Sequence, residues 1–257
     1  MKTLFVNNKL NGFSIFSSPK NWQRLLSNLS TKSSFFFVFS EEKGSHLNVY
    51  FPNTQQNNFL VIENYLKGFV KNNEYNYSET VEDLLFKNFD ENAVIPINLI
   101  ENTNDLAYKP QINDEFFIEF LTKFSRILTA ALCYNDFFLK PKNRLNFGLQ
   151  LVLMASVNAD SKAIVREIQR GLHDEFFSGV FENNKEEFLN LYHELLQIEH
   201  GDDTEKWVID WVKLSKNFLN ISSFVFLIDV VCYVLNINLY KKQLLFLVKE
   251  TLNSSRL

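Results

Sequence analysis

Between Ser34 and Phe51 the chain reads SFFFVFSEEKGSHLNVYF, two aromatic-rich apolar runs held apart by the polar break SEEKGS. Phe35 to Phe39 is short, bounded by turn formers, and built from side chains that favour a pleated, buried surface. In the second run Leu47, Val49 and Phe51 alternate with His46, Asn48 and Tyr50, the period of a half-buried strand. Together they predict a β-hairpin whose turn carries Glu41, Glu42, Lys43 and Gly44.

The neighbouring segments extend this pattern. Gly12 to Phe16 predicts a short strand. Ser17-Ser18-Pro19 then opens a helix, with a Ser cap, Pro at the first position, and Trp22, Leu25, Leu26 and Leu29 on one face. After Pro52-Asn53, the apolar residues Phe59, Ile62, Tyr65, Leu66, Phe69 and Val70 recur at helical spacing. Glu74 to Ile100 mixes alternating and short apolar runs and predicts one or two further strands. The order β-α-β-β-α-β is that of a ferredoxin-like sandwich.

From about Asn113 the period changes to 3.6. Helices are predicted from there towards Cys133, over Leu145 to Val157, Ser161 to about Phe177, Glu186 to Ile198, Thr204 to Phe218, Ser222 to Leu235, and Leu239 to Leu252. Their breaks fall at Asn158, Gly179, Gly201, Asn220 and Asn236. The expected fold class is therefore α+β. A ferredoxin-like sheet layer over residues 1–105 packs on an all-helical part over residues 106–257. The polar junction at residues 101–113 is short, so a single stand-alone domain over 1–257 is expected.

Composition narrows the function classes. The net charge of −4 and the lack of a Lys/Arg cluster argue against a partner in nucleic acid, because such binding neutralises phosphates with clustered cations. That balance also argues against RNA stacking on the hairpin aromatics. The N-terminus lacks a signal-peptide core. The most apolar C-terminal stretch, Phe224 to Leu239, contains Asp229 and two Asn and is short for a membrane span. Cys133 and Cys232 both lie in apolar runs and are expected to be buried, reduced thiols. A cytoplasmic, soluble protein is expected.

Catalytic and metal-binding signatures are sparse. His193 and His200 stand seven apart, about two helical turns and roughly 10 Å, too far to share one ion, so no metal is expected. Asp202-Asp203-Thr204 reads as a helix N-cap. No phosphate-binding glycine loop or nucleophile elbow is present, so no cofactor is expected. Asp229 stands out, set among Phe224, Val225, Phe226, Leu227, Ile228, Val230 and Val231. An unpaired buried carboxylate is costly, so Asp229 needs either a cationic partner or a cavity to face.

Set in order along the chain, these segments resemble a known family. Phe36-Phe37-Val38-Phe39-Ser40, an acidic turn, and His46-Leu47-Asn48-Val49-Tyr50-Phe51 resemble the opening strands of the thiopeptide-type bacteriocin biosynthesis domain. That domain is the C-terminal, glutamate-elimination domain of class I lantibiotic dehydratases, and it also occurs free-standing. Ala107-Tyr108-Lys109-Pro110 followed by Phe124-Ser125 is similar to the family's Arg-Tyr-Gly-Gly segment and its following helix. Ser223-Phe224 to Asn236 and the closing Lys241 to Leu252 helix resemble its C-terminal layout.

The resemblance implies a stand-alone protein of ribosomal peptide natural product biosynthesis, of the lanthipeptide or thiopeptide type. It would bind a precursor peptide and assist elimination or cyclisation of modified Ser/Thr residues. A dehydratase N-terminal (glutamylation) protein is an implied further partner. Where the family carries basic residues this chain has Phe39, Asn48, Tyr50, Ala107 and, at the family His, about Asp229. The remaining catalytic candidates are His46, Asp229 and Tyr108. With the basic positions lost, the alternative is an inactive partner subunit or a protein-interaction module in the same type of pathway.

Overall fold

The computed structural model describes residues 11–41, 45–52, 56–73, 92–97, 114–157, 159–169, 177–197 and 204–255. The chain forms two compact units, Met1–Asp136 and Phe137–Leu257.

The first unit contains β1 (Asn11–Phe16), α1 (Pro19–Ser30), β2 (Phe36–Ser40), β3 (His46–Phe51), α2 (Gln56–Lys71), β4 (Ala93–Pro96) and α3 (Asp114–Tyr134). Its strands form an antiparallel sheet in the order β2-β3-β1-β4. The hairpin register aligns Phe37 with Val49 and Phe39 with Leu47, and β1 continues the rows with Phe13 and Ile15. These residues make one apolar face. Helices α1 and α2 both pack on it: the Trp22 ring lies 5.8 Å from Phe39, and Phe59 stacks on Phe13 at 4.4 Å.

The alternate residues form a second face with rows Gly12–Tyr50–Phe36, Ser14–Asn48–Val38 and, at the end of the hairpin, His46–Ser40. A half-buried strand was expected at 46–51, yet all six residues of β3 are buried. The alternation reflects side-chain polarity here, not exposure, because the polar members find partners within the protein. Gly12 fits the close approach of Tyr50: a Cβ there would lie 3.0 Å from Tyr50 Cδ1 and 2.6 Å from Ile97 Cδ1.

Strand β2 ends the sheet, and α3 runs along it. The Phe37 backbone N–H donates to Ser125 Oγ at 3.0 Å, so the helix supplies an acceptor to a strand edge that would otherwise invite pairing. At the far end of α3, Cys133 is exposed, with Sγ 3.6 Å from the Thr129 carbonyl oxygen. The expectation of a buried thiol fails at this position: the apolar run ALC ends a helix whose last turn leaves the core.

The second unit contains a 3₁₀ turn at Phe137–Leu139, then α4 (Pro141–Ser156), α5 (Ser161–Gln169), α6 (Ser178–Gln197), α7 (Lys206–Leu219), α8 (Phe224–Val234) and α9 (Lys241–Ser254). Helix α4 is buried nearly all round from Phe147 to Ser156 and touches α6, α7, α8 and α9, as expected for a central helix. Trp211 on α7 is fully buried and donates its indole N–H to the Leu151 carbonyl at 2.7 Å. Arg144 is also buried and donates to the Phe138 and Leu139 carbonyls at 3.3 and 3.1 Å, which fixes the entry turn.

The punctuation of α8 is local and complete. Ser223 Oγ accepts from the Phe226 N–H, and the Glu167 carboxylate of α5 accepts from the Phe224 and Val225 N–H groups. These acceptors meet donors that have no partner within the helix. At the other end Asn236 takes φ 55°, with Asn236 N–H bonded to Tyr233 O and Ile237 N–H to Cys232 O. This is the pattern of a left-handed helix stop. Helix α6 begins at Ser178, eight residues before the expected Glu186, and takes Gly179 into its first turn. The fold is α+β: a small antiparallel sheet in the first unit and helices after it.

Candidate functional site

The polar side chains of the sheet's second face are buried and engaged. Ser14 Oγ donates to Asn48 Oδ1 at 2.5 Å across β1 and β3. His46 is 3% exposed and its ring stacks on Phe16 with centroids 4.3 Å apart. It pairs in register with Ser40, also buried. Tyr50 stacks on Phe36 at 4.9 Å. The three strand positions where the resembled family is basic thus hold a packed Phe39, a hydrogen-bonded Asn48 and a stacked Tyr50. None of them offers a positive charge to a substrate carboxylate.

Asp229 lies on α8 and pairs with Lys241 at the start of α9. The carboxylate is only 20% exposed, so the ammonium answers the need for a cationic partner. One helical turn along, Cys232 is fully buried. Its thiol is pushed up to about 12, chiefly by burial, with the nearby Asp229 charge adding to the rise and Lys241 opposing it. A thiol held neutral in this way is a poor nucleophile. His46 belongs to the first unit and Asp229 to the second, and Tyr108 lies outside the described residues, as do Ala107, His200, Asp202 and Asp203.

Sequence reasoning passed over a concavity in the second unit. A groove of about 850 Å³ lies between α4 and α6. Its lining includes buried Leu149 and half-buried Phe188 and Leu191, and its other lining residues are polar or charged. Helix α6 is kinked where it lines the groove: Asn184 has φ −126° and ψ 17°. The Asn184 side chain donates to the Val180 carbonyl at 2.9 Å, the acceptor its own backbone N–H would use in a regular helix. The sequence signal is the run Glu182-Asn183-Asn184-Lys185-Glu186-Glu187, a dense polar block at the start of an amphipathic pattern. It has the composition of any solvated helix face until a second helix packs beside it. Among the described residues no group of His, Cys, Asp and Glu is arranged to hold a metal, and no helix is long and apolar enough to cross a membrane.

No protein-family model and no curated protein matches the chain. Among solved structures it is similar to the pyridine synthase TbtD from thiomuracin biosynthesis, with a TM-score of 0.58 and 11% sequence identity. The match covers 95% of this chain and 98% of that one. At such low identity the likeness is one of fold. It agrees with the motif resemblance at the level of a thiopeptide-type biosynthetic fold, and does not extend to the lantibiotic dehydratase domain in particular. The chain shares, along nearly its whole length, the fold of a protein that works in thiopeptide biosynthesis.

Proposed function

We propose that this chain is a protein of ribosomal peptide natural product biosynthesis and that it binds a precursor peptide. The observation that carries this reading is the end-to-end likeness of fold to a thiopeptide pyridine synthase, 95% of one chain on 98% of the other. A match of that extent is more than a shared sheet or a shared helical hairpin. A ferredoxin-like first unit is supported by the order β1-α1-β2-β3-α2-β4, the sheet order β2-β3-β1-β4, and the placement of α1 and α2 on one face. The dehydratase elimination domain and its glutamylation partner remain the finer form of the same proposal, resting on motif order.

Between catalysis and a non-catalytic role, the site favours the partner subunit. Elimination of a glutamyl group needs a positive charge at the carboxylate and a positioned acid or base. Phe39 is packed against Trp22, Asn48 is bonded to Ser14, and Asp229 is already paired with Lys241. His46, buried against Phe16, is the one remaining acid–base candidate among the described positions. Co-expression with neighbouring genes, followed by mass spectrometry of a co-encoded small peptide, decides the matter. Retained binding with no mass change that depends on this protein is expected. A dependent loss of water or of a leader segment would establish catalysis instead, and no binding to any co-encoded peptide would overturn the pathway reading.

A further inference from the structure

We propose that the groove between α4 and α6 is a binding site for an extended peptide segment carrying Lys or Arg side chains. The proposal rests on the peptide-pathway reading only for the natural identity of that peptide; the groove's own geometry supplies its chemistry. Its volume of about 850 Å³ falls within the range of ligand sites and accommodates several peptide residues. Five amide side chains line it: Asn146 and Gln150 from α4, and Asn183, Asn184 and Asn190 from α6. Each amide offers both a donor and an acceptor, the pair that an extended peptide backbone presents in return. Among them Leu149, Phe188 and Leu191 give the groove apolar surface that the stems of long cationic side chains can cover.

The sign of the charge is set by Glu182, Glu186, Glu187 and Glu194. Glu182 and Glu186 stand on either side of the break at Asn184 and border the same groove, where like charges repel. None of the ion pairs formed between described residues involves these four glutamates. The only cation among the described lining residues is Lys185, whose ammonium sits over the Phe181 ring, 5.9 Å from its centroid. A cationic ligand relieves this repulsion and an anionic one adds to it. The break at Asn184 shapes the concavity, because a straight helix would carry residues 180–184 along a different line.

The test uses the full chain and short synthetic Ser/Gly peptides with a fluorescent label, bearing either lysines, glutamines or glutamates at the same positions. Fluorescence anisotropy is expected to show binding of the lysine peptide, weakened by added salt, and none of the glutamate peptide. The triple variant Glu182→Gln, Glu186→Gln, Glu187→Gln is expected to bind the lysine peptide about tenfold more weakly. A charge-matched control, Glu115→Gln, Glu119→Gln, Asp136→Asn, places the same change on exposed residues of the first unit and is expected to bind as the unaltered chain does. Equal weakening by both triple variants would reduce the effect to net charge and overturn the site. So would a lysine peptide that binds no better than its glutamine counterpart. These peptides carry no pathway information, so failure here leaves the co-expression result standing, and failure there leaves the groove.

Discussion

The two units place their polar side chains in opposite circumstances. On the second face of the sheet, Ser14, Ser40, His46 and Asn48 are all buried, and the Ser14–Asn48 hydrogen bond runs between neighbouring strands. Along the α4–α6 groove, Asn146, Glu182, Asn183, Glu186, Glu187 and Asn190 are all exposed. A buried polar group is costly unless its hydrogen bonds are made, so the sheet's polar row is committed to holding its strands in register. An exposed group bonded to water exchanges that water for a ligand at little cost. Side chains of similar type are therefore structural in one unit and available in the other.

Four substitutions or titrations test that contrast. The largest effect is expected away from both polar regions, as a reference for what a lost core costs. Trp211→Ala in α7 removes a fully buried indole and its bond to Leu151, and is expected to cost about 3–5 kcal/mol in chemical denaturation. Next, Asn48→Leu leaves the buried Ser14 hydroxyl without its acceptor and is expected to cost about 1–3 kcal/mol. Adding Ser14→Ala should recover part of that loss; a double variant no better than the single would show that the pair is not what holds the row.

The third test is a titration. The Cys232 thiol is raised from 9.0 to about 12 in the folded chain, so the unfolded chain gives up its proton first. The contribution is complete below pH 9.0 and is lost as pH rises towards about 12. One pH unit above 9.0 the loss is about 1 kcal/mol, and Cys232→Ala should remove that alkaline slope. In the native protein an alkylating reagent should label Cys133 and leave Cys232 untouched until denaturant is added. The smallest effect belongs to the groove. The triple glutamine variant at 182, 186 and 187 should shift stability by no more than about 0.5 kcal/mol while it weakens peptide binding. A loss as large as that of Asn48→Leu would mean that these glutamates are structural after all.

Much of the fold was legible from the chain alone because its signals are local. The hairpin at Ser34 to Phe51 follows from a two-residue period and a polar break, and both strands form. The break at Asn236 becomes a left-handed helix stop at that same residue. Ser18 sits at the cap of α1 as predicted, but its side chain makes no capping bond, and Pro19 in the first turn marks the start. The candidate site was much less legible. Asp229 could be recognised as needing a partner, yet nothing near it in the chain pointed to Lys241, twelve residues on and across a turn.

The chain by itself determined where period two gives way to period 3.6, which segments are strands and which are helices, and where several of them stop. These follow from side-chain spacing and from backbone groups that are satisfied within a few residues. Tertiary structure decided that α3 lies along the sheet edge through Ser125, that both faces of β3 are buried, and that Cys133 is exposed while Cys232 is not. It also decided that an ordinary polar helix face becomes the wall of a groove, which depends on the kink at Asn184 and on α4 beside it. Burial and concavity belong to surfaces brought together from distant parts of the chain, and no local period encodes which surface a face will meet.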